Sequence, residues 1–327
     1  MKKLVIIATL ALCAALTVCV FAGCAGNSQS NNQSTASSST SKGKESEKTE
    51  LNFITCGATS RVLAELQQLY AQTHETVAFA DPLVVSADSD MIGLIKNSEA
   101  PASSESSSSS ASSSASMSAT SSASKSGAPL DGVITFSKDQ MNALERAELI
   151  TPATRFDLAR DRLVIATAKD NSNIELCSLD DIANGAFTVA IGGNAVPSGV
   201  SARQALSAVG CFADSSGATG AAAAGTAGTF MGTLANDKVI EKPDSAALCT
   251  AIQKGDAEVG LVYESDVYRF GSLKIIGAVD AALYSPVVYP TAVLAASGHP
   301  DDVKAFLIWC ASDTEARKIF QKWGFEF

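Results

Sequence analysis

From Leu51 to the C-terminus, short apolar runs alternate with amphipathic segments, and no other feature of this chain restricts its fold as strongly. Leu51–Cys56 reads as a strand. The segment opened by Ser60, placed to cap a helix, puts Val62, Leu63, Leu66, Leu69 and Tyr70 on one side. Leu83–Val85 predicts a second strand and Met91–Ile95 a second helix. Gly132–Phe136 predicts a third strand, followed by a helix carrying Met141, Leu144, Ala147 and Leu149. Further strands are expected at Leu163–Ala168, Phe187–Ile191, Val259–Tyr263, Leu273–Ile276 and Val287–Leu294. Helices are expected at Ala202–Val209, Ser245–Gln253 and Asp301–Trp323. Strands and helices that alternate in this way define an α/β protein with largely parallel sheets.

The N-terminus reads differently. Lys2 and Lys3 precede an apolar run from Leu4 to Ala22, which is just long enough to span a bilayer. The basic start, apolar centre and Phe21-Ala22-Gly23-Cys24 form instead a secretory signal with a lipobox, so residues 1–23 are expected to be cleaved. This start resembles bacterial lipoprotein signals, which implies an acylated Cys24 as the membrane anchor on the extracytoplasmic face. Residues 24–50 are polar with no apolar period and read as a flexible tether.

Ser103–Ser126 holds 16 Ser in 24 residues and cannot bury enough apolar surface to order itself. Ser215–Gly232, made of Gly, Ala, Thr and Ser with few larger residues, reads as a second flexible segment. Its Gly220–Thr226 stretch mimics a phosphate loop but lacks the Lys after Gly225 and the preceding apolar strand, so it is not a nucleotide site.

Composition removes several functions. With 24 Lys+Arg against 34 Asp+Glu the net charge is −10, which excludes nucleic acid as a partner. The two histidines, His74 and His299, leave no metal or general-base constellation, and no Gly-x-Ser-x-Gly elbow is present, so an enzyme is not expected. Of eight cysteines, Cys13 and Cys19 leave with the signal and Cys24 takes lipid. The remaining five show no CxxC spacing, so a disulfide framework is not expected, although one bridge is permitted outside the cytoplasm, and Cys56, within Leu51–Cys56, reads as a small buried hydrophobe.

Parallel α/β folds bind ligands beyond the carboxyl ends of their strands, where helix N-termini direct N–H groups outward. Cys56–Ser60, Val196–Val200 and Pro243–Ser245 are such junctions, rich in backbone and hydroxyl donors and without basic residues. A buried anion held by neutral dipoles needs no net positive charge, so the −10 does not exclude one.

Five segments together carry a resemblance over most of Leu51–Phe327: Asp131-Gly-Val-Ile-Thr-Phe-Ser137, Val196-Pro-Ser-Gly199, Gly260-Leu-Val-Tyr-Glu-Ser-Asp266, Tyr289-Pro-Thr-Ala-Val293 and Trp323-Gly-Phe325. In their order and spacing the chain resembles the molybdate-binding proteins of bacterial ABC importers. The resemblance implies a type II periplasmic-binding-protein fold, with two lobes joined by a hinge and closing on an oxyanion. Residues 51–162 and 290–327 would form lobe one, with residues 102–127 as a loop insertion. Residues 163–289 would form lobe two, with an insertion at 215–232. The resemblance places donors at Ser198 and Ser245 through their backbone N–H groups and at Tyr263 through its phenol. On lobe one it falls on Ala58, which has no hydroxyl, so that Thr59 or Thr55 would substitute, and on Ser89, beside Asp88 and Asp90. The implied ligand is molybdate or tungstate, and the implied partners are an ABC permease and its ATPase. No cofactor is implied, and the protein is expected to be a monomer. Sulfate or phosphate is the near alternative, and a degenerate surface scaffold or sensor that no longer transports is the more distant one.

Overall fold

A computed structural model describes residues 48–86, 90–99, 129–220, 223, 226–235 and 237–327. The signal, Cys24, most of the tether, Asp88, Ser89 and the Ser-rich tract lie outside the described residues. No helix among the described residues is long and apolar enough to cross a membrane.

In chain order the elements are β1 (Thr49–Leu51), β2 (Phe53–Cys56), α1 (Ser60–Thr73), β3 (Val77–Phe79), β4 (Leu83–Val85), α2 (Met91–Glu99), β5 (Gly132–Ile134) and α3 (Lys138–Arg146). The chain continues through β6 (Phe156–Asp161), β7 (Leu163–Ala168), α4 (Leu179–Ala183), β8 (Val189–Gly192), α5 (Pro197–Ala208), β9 (Phe212–Asp214), β10 (Gly228–Phe230) and β11 (Val239–Lys242). It ends with α6 (Ser245–Lys254), β12 (Val259–Tyr263), α7 (Glu264–Phe270), β13 (Leu273–Ala278), β14 (Val287–Val293), α8 (Pro300–Ser312) and α9 (Thr314–Lys322).

Two five-stranded sheets share one plan. The first runs β4-β2-β5-β14-β6 and the second β11-β8-β12-β7-β13. In each, three strands are parallel, as β-helix-β units require. Two antiparallel strands then complete each sheet. The chain passes from the first sheet to the second across Arg162 alone, between β6 and β7, and returns between β13 and β14. Pro290, in the buried strand β14, sits at a register shift, where a missing N–H costs no ladder bond.

Alternation along the strands sorts the core. Phe53 and Ile54 face opposite sides, as do Ile165 and Val164. One side of both sheets feeds a single apolar cluster in which Val62, Leu66 and Tyr70 of α1 and Phe306 of α8 meet Phe53, while Ala202 and Leu206 of α5 belong to the same cluster as Ile165 and Ile191. Smaller clusters cover the outer sides, with Met141 and Leu144 against the first sheet and Leu248 and Ile252 against the second. All five described cysteines are free and buried.

Several expectations are corrected in detail. Thr59, not Ser60, is the N-cap of α1; the Ser60 hydroxyl donates to the Gly57 carbonyl at 2.8 Å. The helix expected over Asp301–Trp323 is two helices broken at Asp313, whose carboxylate accepts the Glu315 and Ala316 N–H groups. Strand β1 begins within the segment read as tether. Gly228–Phe230 of the Gly/Ala tract pairs with β9 as an antiparallel strand instead of remaining loose.

Candidate functional site

The carboxyl ends of β2, β8, β11 and β12 each turn directly into a helix. At the first turn, Cys56-Gly57-Ala58-Thr59, the Thr59 side chain is buried and its Oγ1 lies 2.7 Å from Thr55 Oγ1 and 3.2 Å from Cys56 Sγ. The two threonine hydroxyls that were to replace the missing one at Ala58 therefore bind each other. Ala58 itself is half-buried against the apolar cluster.

At the β8–α5 junction Pro197 opens the helix, where its missing N–H is of no consequence. Gly199 follows, and a methyl group there would lie 2.2 Å from the Gly192 carbonyl oxygen, so only glycine allows the helix to start so close to the strand. Arg203 holds this junction from beneath: it is buried and donates to the carbonyls of Gly192 and Gly199 at 2.8 and 3.0 Å and to Glu241 at 2.6 Å. Ser198 is 1% exposed, and its hydroxyl has no hydrogen-bond partner among the described residues. The first-turn N–H groups beside it have no intrahelical acceptor either.

At β11–α6 the Asp244 carboxylate caps the helix by accepting the Ala247 N–H at 2.8 Å. Ser245, half-buried, lies near enough to the Asp266 carboxylate to hold its pKa down against the effect of burial. Tyr263 ends β12 and its hydroxyl lies 2.9 Å from Ser201 Oγ of α5. Burial pushes the Tyr263 phenol far above its ordinary value, so it stays protonated. If Ser201 donates to the phenolic oxygen, the phenol retains its own O–H for a ligand.

The two sheets meet around these turns. Arg269 of α7 reaches back to the first sheet's loop: a methyl group on Gly57 would lie 2.9 Å from its Nη1. Arg61 of α1 donates to the Arg269 carbonyl at 2.8 Å. Beneath lies a buried polar cluster that the sequence reading missed. Asp161, the last residue of β6, accepts from Tyr289 of β14 at 3.1 Å, from its neighbour's N–H at Arg162, and from the Ser265 N–H of α7. Burial pushes the Asp161 carboxyl up to about 7; hydrogen bonds from Ser265 and Arg162 oppose this, and the nearby Asp266 charge adds to it. Burial likewise raises the Asp266 carboxyl, against the pull of Arg269, which it binds at 2.7 Å. Asp266 stood in a motif already singled out, and its i, i+3 spacing to Arg269 was the available signal for that pair.

The structure thus joins Tyr263 with Ser201, and Ser245 through Asp266 with Arg269 and Gly57. Ser198 stands at the start of the same α5 that carries Ser201. Among the described residues no group of three His, Cys, Asp or Glu is placed to hold a metal ion.

Two similar sheets, joined by crossover strands and bearing helix N-termini at their carboxyl ends, define a periplasmic-binding-protein fold. Residues 51–326 match the bacterial extracellular solute-binding protein family, and the chain belongs to it. It is 25% identical over 207 residues to the molybdate-binding protein ModA of Escherichia coli K12, covering 62% of this chain and 72% of that one. A Bacillus subtilis strain 168 protein bearing the name of an ABC transporter substrate-binding lipoprotein, YvgL, is 30% identical over 89 residues, which is 27% of this chain and 34% of its own length. This chain thus spans about a third of YvgL. Among solved structures, a substrate-binding domain assigned to a molybdenum ABC transporter of Clostridium difficile superposes with a TM-score of 0.61 at 21% identity, over 85% of this chain and 99% of that one. The sulfate-binding protein SubI of Mycobacterium tuberculosis superposes at 0.55 with 15% identity, over 85% and 86%. The relatives are transport solute-binding proteins, not enzymes.

Proposed function

We propose that this protein captures molybdate or tungstate between two lobes and delivers it to an ABC permease and its ATPase. Lobe one comprises about residues 51–162 and 290–327, and lobe two about 163–289. The observation that carries the reading is Ser198: a buried hydroxyl with no hydrogen-bond partner among the described residues, at the first turn of a twelve-residue helix whose first N–H groups have no intrahelical acceptor. A tetrahedral oxyanion accepts from several donors at once, and would satisfy Ser198, the α5 N-terminus and the Tyr263 phenol together. The relationship to ModA supports molybdate as the ligand. In this reading Ser245 and the Cys56–Thr59 turn would flank the same cleft, and Ser89 would be the further donor from lobe one. Closure of the lobes would exclude water and strengthen each of these dipoles. The lipobox at Cys24 supports anchoring at the outer face of the membrane, with residues up to about 50 as the tether.

The test is a thermal-melt series of the mature protein with molybdate, tungstate, sulfate and phosphate. A ligand bound only by the native state, at a hundredfold excess over its Kd, adds about 2.7 kcal/mol of stability. Molybdate and tungstate are expected to raise the midpoint most. A larger shift with sulfate would reassign the ligand, and no shift with any of the four would end the oxyanion reading in favour of a non-transporting scaffold.

A further inference from the structure

We infer that Arg269 is a ligand-binding residue of this cleft, presenting guanidinium N–H donors beside Gly57 to a tetrahedral dianion. The inference rests on the oxyanion reading above and deepens it by adding a cation to a site otherwise composed of neutral dipoles.

Five observations converge on this residue. The Cys56–Thr59 turn has no side-chain donor of its own to offer: Ala58 has none, and the hydroxyls of Thr55 and Thr59 lie 2.7 Å apart. Arg269 fills that gap from the opposite sheet, with Nη1 placed 2.9 Å from where a Gly57 methyl would lie. Its Nε is buried and has no hydrogen-bond partner among the described residues, an unusual state for a guanidinium that is 17% exposed. Behind it, Asp266 accepts one Nη2 bond at 2.7 Å and is itself buried. The pair is therefore held in place with its negative member enclosed, while the guanidinium packs 4.4 Å from the Phe270 ring centroid and keeps Nη1 beside Gly57. Ser245, at a neighbouring helix start, lies near the same Asp266, which sets the pair beside a predicted donor.

Other charged and titratable groups face the guanidinium. Cys249 of α6 and Cys56 of β2 lie close enough to feel its charge, and burial holds both thiols protonated. Arg61 is engaged with the Arg269 carbonyl. Within this set Asp266 is the group that offsets the cation, so removing either member of the pair must change anion affinity in opposite directions. A merely structural ion pair would not show this pattern, since losing either partner would then weaken the site alike.

The experiment is calorimetric titration of molybdate and tungstate into the mature protein and into Arg269→Gln, Arg269→Lys, Asp266→Asn and Gly57→Ala, with the ligand-free melting midpoint of each as a check of folding. Arg269→Gln is expected to weaken molybdate at least about tenfold, the scale of one charge-assisted hydrogen bond. Arg269→Lys should recover part of that loss, and Asp266→Asn should bind at least as tightly as the parent. Gly57→Ala guards against a variant that fails to fold. The Gly57 backbone is not in the left-handed region, so the methyl acts by displacing Nη1, and affinity should fall several-fold. Parent-like affinity in both Arg269→Gln and Gly57→Ala, or equal losses in Arg269→Lys and Arg269→Gln, would overturn the inference while leaving the oxyanion reading intact. If the parent itself binds neither anion, both fall together.

Discussion

The carboxyl of Asp161 lies where β6 leaves the first sheet, and its three donors come from β14, its own chain neighbour and α7. A buried carboxyl at this place costs stability once it ionises. Its pKa rises from 3.8 to about 7 on folding, so the native state holds the proton more tightly than the unfolded chain. Below about pH 4 both states are protonated and the term vanishes. Between about 4 and 7 the unfolded chain loses its proton first, stability falls as pH rises, and above 7 the penalty is complete, on the order of 4 kcal/mol at most. Asp161→Asn removes the titration while its Oδ1 keeps an acceptor for the Arg162 and Ser265 N–H groups, and the Tyr289 hydroxyl can rotate to accept from the amide in place of donating to Oδ2. Urea melts should therefore show the variant gaining on the parent from pH 5 to pH 8. A constant difference across that range would show that Asp161 does not carry the shift. Tyr263→Phe tests the neighbouring residue. It leaves the ring in place, removes the phenolic donor and strands Ser201, so molybdate affinity should fall by about tenfold; unchanged affinity in a titration would remove Tyr263 from the site.

The β8–α5 junction shows how an element is positioned for binding and how much of that was legible beforehand. Val196-Pro-Ser-Gly199 was readable as a helix start because Pro at the first position and small residues after it are a recognisable pattern, although the helix was expected to begin only at Ala202. The need for glycine was not readable, because the clash at Gly199 comes from the carbonyls of Gly192 and Gly193, whose closeness only the folded chain establishes. Gly199→Ala is expected to displace α5 from β8, cost more than about 2 kcal/mol in denaturant melts and abolish the molybdate-induced shift together. Loss of neither would show that the junction is not rigid. Strands fared according to their burial. Leu163–Ala168 and Val259–Tyr263, buried throughout, were found with their exact ends, whereas Phe156–Asp161 was missed because Asp157 and Arg160 interrupt its apolar pattern. The break at Asp313 escaped notice because the amphipathic period runs on from α8 into α9, and only the cap separates them. Arg269 lay beyond sequence reasoning for the same reason as Gly199: its partner loop is brought to it by the meeting of two sheets.

At the scale of the molecule, two sheets with one plan are not two independent bodies. Phe53, Ile134 and Tyr289 of the first sheet belong to the same buried cluster as Ile165, Ile191 and Leu261 of the second. Across the crossover, Arg162 pairs with Glu264 of α7 and with Glu326 near the C-terminus, which joins the chain's last residues to the start of the second sheet. The Arg160 and Glu326 backbones add a further bridge at 2.7 Å. A hydrophobic surface shared in this way cannot be exposed on one side without being exposed on the other, so unfolding of either sheet should carry the other with it. The ligand-free mature protein is expected to show one calorimetric transition, with van't Hoff and calorimetric enthalpies equal. Two resolved transitions would mean that the sheets fold separately and that the shared cluster contributes little. Oxyanion would then have to supply the coupling, and the transitions should merge as molybdate is added. With the coupling already built in, molybdate should move the single transition upward without changing its cooperativity.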